Sequence, residues 1–165
     1  MSGGYEYILW VLLLVATVTD LLWGKVFNAL TFSFLISGVI LRFIQFGADS
    51  AGTGLIAVGV AFLVGFPLWQ LKAFAAGDVK LLMAFGAWTN WTMVLQLGAF
   101  AVIVGSIVGS FILWRTKGVK GGLQSLAAHT KTSGEKKGIR IPFAPAFLCG
   151  FMVLQVAEMQ QWRFF

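Results

Sequence analysis

Apolar runs broken by single polar or turn residues recur along almost the whole chain. Their spacing predicts six helices: about Tyr5 to Leu22, Phe27 to Phe46, Gly52 to Leu71, Val79 to Trp88, Trp91 to Trp114 and Ile141 to Gln161. Most of these runs approach the roughly 20 residues that cross a bilayer, and none has the strict alternation of a membrane β-barrel strand. The expected fold class is therefore all-α, a polytopic membrane helix bundle forming a single domain over residues 1–165. The fourth run is short, about 15 Å at 1.5 Å per residue, so it is expected to begin below the membrane surface. Thr116 to Gly138, with five glycines, five lysines and little apolar periodicity, reads as a loop.

Composition agrees with that reading. At 59% hydrophobic and 11% charged, the chain is too apolar for a soluble domain, whose charged share is normally about a quarter. Glu6 and the lack of Lys or Arg ahead of Ile8 to Thr19 argue against a signal peptide there, so the run is kept as a first spanning helix. The net charge of +6 does not point to nucleic acid. Seven of the twelve basic residues (Arg115, Lys117, Lys120, Lys131, Lys136, Lys137 and Arg140) fall in one connection at about 115–140, the pattern of a cytoplasmic loop. Lys25 marks the first connection and Lys72 with Lys80 the third, whereas the second holds Asp49 and the fourth only Asn90. Both termini are thus expected outside and the odd connections in the cytoplasm. Trp23, Trp69 and Trp114 then fall at inner ends, and Trp88, Trp91 and Trp162 at outer ends, as interfacial anchors; Trp10 fits that belt less well.

Smaller features are read as packing. The single cysteine, Cys149, rules out an internal disulfide or a tetracysteine zinc site and is assigned to helix packing. Pro67 is expected to kink the third helix, Pro142 to sit in the first turn of the last, and Pro145 to remove an intrahelical bond. Gly105-x3-Gly109 and Ser106-x3-Ser110 allow close helix approach within the bundle, with homodimerisation a second use.

The candidate chemistry lies in two of the six acidic residues, Asp20 and Asp78, each beside an apolar segment. A carboxylate near hydrocarbon costs about 2.5 to 3.5 kcal/mol on insertion scales, which makes it a functional candidate by default. Each has a plain alternative: Asp20 marks the end of a span, and Asp78 acts as a helix N-cap. Together they sit at matched depth on the cytoplasmic side, where neutral polar residues would terminate helices at less cost. Two adjacent carboxylates share a proton, so one can activate water while the other polarises a peptide carbonyl. Lys80 is expected to anchor the inner helix end, and Asn28 to hydrogen-bond near Asp20 or cap the second helix. Thr31 is expected to bond back to a helix carbonyl. His129 has no partners for a metal, and Asp49 and Glu158 fall toward the opposite face.

Gly77-Asp78-Val79-Lys80-Leu81 resembles the second signature of the type IV prepilin peptidases, members of the GxGD group of intramembrane aspartyl proteases. Asp20-Leu21, then Lys25-Val26, then Asn28-Ala29-Leu30-Thr31 is similar to the first signature. Ile141-Pro142-Phe143-Ala144-Pro145-Ala146 is similar to that family's I-P-F-x-P-x segment. Ala75 stands where the first Gly of GxGD is usual, Phe27 replaces a Pro, and Leu22 occupies a site often basic. The resemblance implies a cofactor-free aspartic endopeptidase with Asp20 and Asp78 catalytic and Gly77, Lys80 and Asn28 supporting. It implies a bacterial inner-membrane location and a prepilin or pseudopilin substrate cut at the cytoplasmic face. It further implies the small stand-alone branch serving tight-adherence (Flp) pilins, without an N-methyltransferase region. The alternatives are a proton- or cation-coupled transporter and an inactive protease-fold assembly factor.

Overall fold

The computed structural model describes residues 5–71, 73–109 and 143–159, and its regular structure is helical. Five helices follow in order: α1 Tyr5–Trp23, α2 Asn28–Gln70, α3 Ala76–Trp88, α4 Trp91–Gly109 and α5 Ala144–Met159. The basic loop, His129, Pro142, Trp114, Trp162 and the side chain of Glu158 lie outside the described residues.

Helix α2 contains both the second and third expected runs. Straight, its 43 residues would extend about 65 Å, twice the hydrocarbon thickness of a bilayer. It is interrupted at Gly47, whose φ of 80° and ψ of −174° are non-helical and open only to glycine without strain. The chain reverses there. The first limb runs parallel to α3, with Asn28 meeting Lys80 and Gly38 meeting Trp88; the second runs antiparallel, with Gly54 at Ala87, Ala57 at Gly86 and Gly65 at Val79. Arg42 closes the turn by donating to the Ser50 and Thr53 hydroxyls and to the carbonyl of Thr89 at the end of α3. The non-helical break is thus at Gly47 and not at Pro67.

Helix α3 is the centre. Nine of its thirteen residues are buried, and its apolar surface runs all the way round, as expected of a helix enclosed by others. A Cβ on Gly86 would sit 3.0 Å from the backbone C and O of Ala57, and one on Gly65 would sit 2.9 Å from Val79. Small residues let backbones approach closely where apolar burial alone cannot drive helices together in lipid. Trp88 is 3% exposed and donates its indole N–H to the Phe34 carbonyl at 2.8 Å. It is therefore a core residue and no interfacial anchor; Trp23, Trp69 and Trp91 remain on the surface.

The outer helices complete the bundle. Leu9, Leu12, Leu13 and Ala16 place one face of α1 in the core, while Val11, Leu14, Val15 and Val18 face outward. Asn90 caps α4 by accepting the Met93 N–H at 3.0 Å. Gly105 of α4 faces the Phe143 ring, and Gly150 of α5 faces Phe100, so Gly105 serves packing within the chain. Helix α5 begins at Ala144, which puts Pro145 in the first turn, where its missing N–H breaks no helical bond. Cys149 is exposed, contrary to a packing role. Among the described residues three helices are long and apolar enough to cross a membrane, and the protein is a membrane helix bundle.

Because the Gly86 contact is with backbone, Gly86→Ala is expected to cost about 1–3 kcal/mol and lower the unfolding midpoint in detergent. Gly59→Ala, with nothing near its Cβ position, should leave that midpoint unchanged or slightly raised.

Candidate active site

Asp20 lies in the last turn of α1 and Asp78 in the first turn of α3, so helix polarity brings both to the same end of the bundle. Helix α1 stops just beyond Asp20, where the Gly24 N–H bonds to the Asp20 carbonyl at 2.8 Å and Gly24 takes a φ of 62°. The Asp20 side chain turns to α5 instead, its Oδ2 accepting the Ala144 N–H at 3.1 Å. That N–H is one of the first four of α5, which have no partner inside the helix and favour a carboxylate. The terminal segment similar to I-P-F-x-P-x therefore meets the first aspartate, 124 residues away in sequence.

Asp78 is 4% exposed. It is the third residue of α3, and its Oδ2 accepts the Ala75 N–H at 2.9 Å, while its own N–H bonds to the Ala75 carbonyl at 3.0 Å. Ala75, not Asp78, is the N-cap; the aspartate makes the reaching-back half of a capping box. Ala75 has φ −80° and ψ 158°, extended backbone open to any residue, so the alanine carries no conformational penalty relative to glycine. Gly77 lies against Val26 of the α1–α2 link, with a would-be Cβ at 3.4 Å, an ordinary contact.

Asp20 holds the Ala144 amide, and the ring of the preceding residue, Phe143, packs edge-on against Phe74, four residues before Asp78, so the two aspartates share one end of the bundle. Asp20 is partly buried, so it is less enclosed than Asp78. Asp49 is exposed beside the Gly47 turn, at the other end. Among the described residues no three His, Cys, Asp or Glu converge to hold a metal ion.

Lys80 donates to Asn28 Oδ1 at 2.9 Å and lies 5.5 Å from the centroid of the Phe32 ring. Asn28 thus ties the start of α2 to α3, without bonding to Asp20 or capping α2, whose N-cap is Phe27. Thr31 does bond back, to the Asn28 carbonyl at 3.1 Å. Sequence reading missed Thr17, one turn before Asp20. It is 8% exposed, and its hydroxyl has no partner among the described residues. The missed signal was a polar residue three positions from a candidate carboxylate, hence on the same helix face.

The type IV leader peptidase family is matched over residues 7–112, which include both aspartates. A prepilin leader peptidase/N-methyltransferase of Myxococcus xanthus (strain DK1622) is 32% identical over 89 residues, 50% of this chain and 26% of that protein. A protein of the same name from Burkholderia pseudomallei (strain 1026b) is 28% identical over 109 residues, 62% of this chain and 35% of that one. The chain spans about a quarter to a third of the length of these curated relatives. No solved structure matches it.

Asp20→Ala is expected to free the Ala144 amide and speed hydrogen exchange in the first turn of α5 about tenfold, the factor for losing one charged hydrogen bond. Exchange mass spectrometry of peptides covering residues 143–150 is the measurement; unchanged exchange would mean the bond contributes nothing.

Proposed function

The chain belongs to the type IV leader peptidase family, and on that premise we propose that it is an intramembrane aspartic endopeptidase acting through Asp20 and Asp78. The observation that supports this is the placement of both carboxylates at one end of the bundle, where Asp20 holds the start of α5 and Phe143 beside it packs on Phe74 ahead of α3. An ionised carboxylate takes a proton from water, and the hydroxide so formed attacks the peptide carbonyl. The protonated carboxyl gives its proton to the carbonyl oxygen, yielding a tetrahedral diol. Collapse of the diol breaks the C–N bond: one diol hydroxyl passes its proton to the ionised carboxylate, and the amine leaves with the proton of the other carboxyl. Water and one peptide bond become one carboxyl and one amine, with the dyad restored. This chemistry needs only the two aspartates and water. As a coupled pair they titrate together, so the acid and base roles belong to the pair.

The substrate class we infer is a prepilin or pseudopilin, following the name of the curated relatives. Its basic leader would lie in the cytoplasm and its hydrophobic helix in the inner membrane, with the cut at the boundary. The aspartates occupy helix ends, which suits that depth. It does not suit the rival ion-relay reading, because transporter sites lie near the bilayer midplane. Gly77, Lys80 and Asn28 support the site by positioning: Gly77 seats the α1–α2 link on α3, and the Lys80–Asn28 bond ties α2 to α3.

Co-expression with a pilin carrying a basic leader tests the reading. Asp20→Ala and Asp78→Ala should each reduce leader removal to background while leaving the protein in the membrane, and retained cleavage in either variant refutes the dyad. Ala75→Gly should change processing less than about twofold, since Ala75 already sits in unstrained extended backbone. Proximity has its own check: with Cys149→Ser in place, Asp20→Cys and Asp78→Cys together should crosslink through a short reagent.

A further inference from the structure

Beside the candidate site one enclosed hydroxyl is left over. Thr17 is 8% exposed and its Oγ1 is buried, yet among the described residues nothing bonds to that atom. The other buried threonine hydroxyls turn back onto their own helices: Thr19 donates to the Ala16 carbonyl at 2.9 Å, Thr31 to that of Asn28 at 3.1 Å and Thr89 to that of Phe85 at 3.0 Å. A hydroxyl shut away from water without a bond loses its solvation and regains nothing, whereas valine would fill the same shape with no polar atom. A buried polar group of this kind calls for a partner.

The surroundings of Thr17 narrow that partner to one group. Seven residues earlier, and so nearly on the same face of α1, Trp10 packs edge-on against Phe151 of α5 with ring centroids 5.2 Å apart. Three residues later, Asp20 accepts the Ala144 N–H at the start of α5. Thr17 therefore lies between two contacts along the seam where α1 and α5 run antiparallel. The side chains of α5 along this stretch, from Ala144 to Leu148, are all apolar. Asp20 is the polar neighbour. Residues three apart on a helix have Cβ atoms about 5–6 Å apart, and side chains lean toward the helix N-terminus, which tips the Asp20 carboxylate back over the turn that holds Thr17. The Ala144 bond takes one of the roughly four acceptor sites of a carboxylate.

We propose that Thr17 is a positioning residue for the proteolytic reaction: its hydroxyl donates to the ionised carboxylate of Asp20 and, with the Ala144 amide, fixes the direction in which that carboxylate faces. A charged acceptor makes the stronger bond, so the contact belongs to the ionised state of the group. Threonine in a helix divides between two rotamers, and the bond uses the one that turns Oγ1 along the seam toward Asp20. This role rests on Asp20 being one of the reacting pair, and two readouts keep the failure of either idea distinct.

The full-length protein in nanodiscs is given a pilin with a basic leader, and Thr17→Val, Thr17→Ser and Asp20→Ala are compared with wild type. Thr17→Val is expected to lower kcat about tenfold, the factor for one hydrogen bond to a charged group, with KM unchanged. Its unfolding midpoint should equal or exceed that of wild type, because valine removes a buried hydroxyl that satisfies nothing in the folded chain. Thr17→Ser keeps the donor and should stay within about threefold of wild-type kcat. Wild-type kcat in Thr17→Val, a change in KM alone, equal losses in the valine and serine variants, or a loss accompanied by a lowered midpoint overturns the proposal. The second readout needs no cleavage. Exchange mass spectrometry of peptides covering residues 143–150 should show about threefold faster exchange in Thr17→Val, as the carboxylate that holds the Ala144 amide loosens, and wild-type exchange there overturns the proposal. Retained cleavage in Asp20→Ala refutes the dyad and the catalytic side of this role together, while the exchange rates still decide whether Thr17 holds Asp20.

Discussion

Everything at the candidate site rests on the close approach of α3 to the two limbs of α2. A thirteen-residue helix is too short to be held by its own hydrogen bonds, since isolated helices of that length are marginal even in water. Here it is clasped where Gly38, Gly54 and Gly65 of α2 and its own Gly86 remove the side chains that would hold backbones apart. In lipid the driving force for this is dispersion and packing, so small increases in separation forfeit much of it. Asp78 is buried in the first turn of α3, although Ala76 of the same turn is exposed.

The reversal at Gly47 makes the clasp possible. One residue with positive φ folds a 43-residue helix back on itself so that its limbs meet α3 in opposite directions. Arg42 then holds the turn to the carbonyl of Thr89, the residue that caps α3. The two aspartates lie at the opposite end. Asp20 closes on the start of α5 and Asp78 on its own N-cap, each satisfying a backbone N–H left over at a helix start. A carboxylate held this way is oriented by the helix it touches, and in both cases that helix belongs to the packed core.

Several features were legible in the chain itself. Each helix falls on an expected apolar run, two runs merging in α2, and the motifs around Asp20 and Asp78 lie within the residues that the family match covers. Helix ends were read less well: α3 starts at Ala76, so Asp78 is inside the helix and Ala75 caps it. Trp88 shows why aromatic residues at the end of an apolar run are ambiguous. The same amphipathic ring suits a membrane interface or a buried hydrogen bond, and only the carbonyl of Phe34 decides. Cys149 is the converse, a residue type usually buried that faces outward.

The sequence alone determined an all-helical membrane bundle, its rough spans and the two carboxylates, because these depend on local hydrophobicity, chain polarity and short motifs. Tertiary structure decided what meets across distance: Ala144 with Asp20, and Asn28 with Lys80. Such contacts are set by the crossing of whole helices and by the reversal at Gly47. In a chain apolar on nearly every face, no periodicity marks which face turns inward.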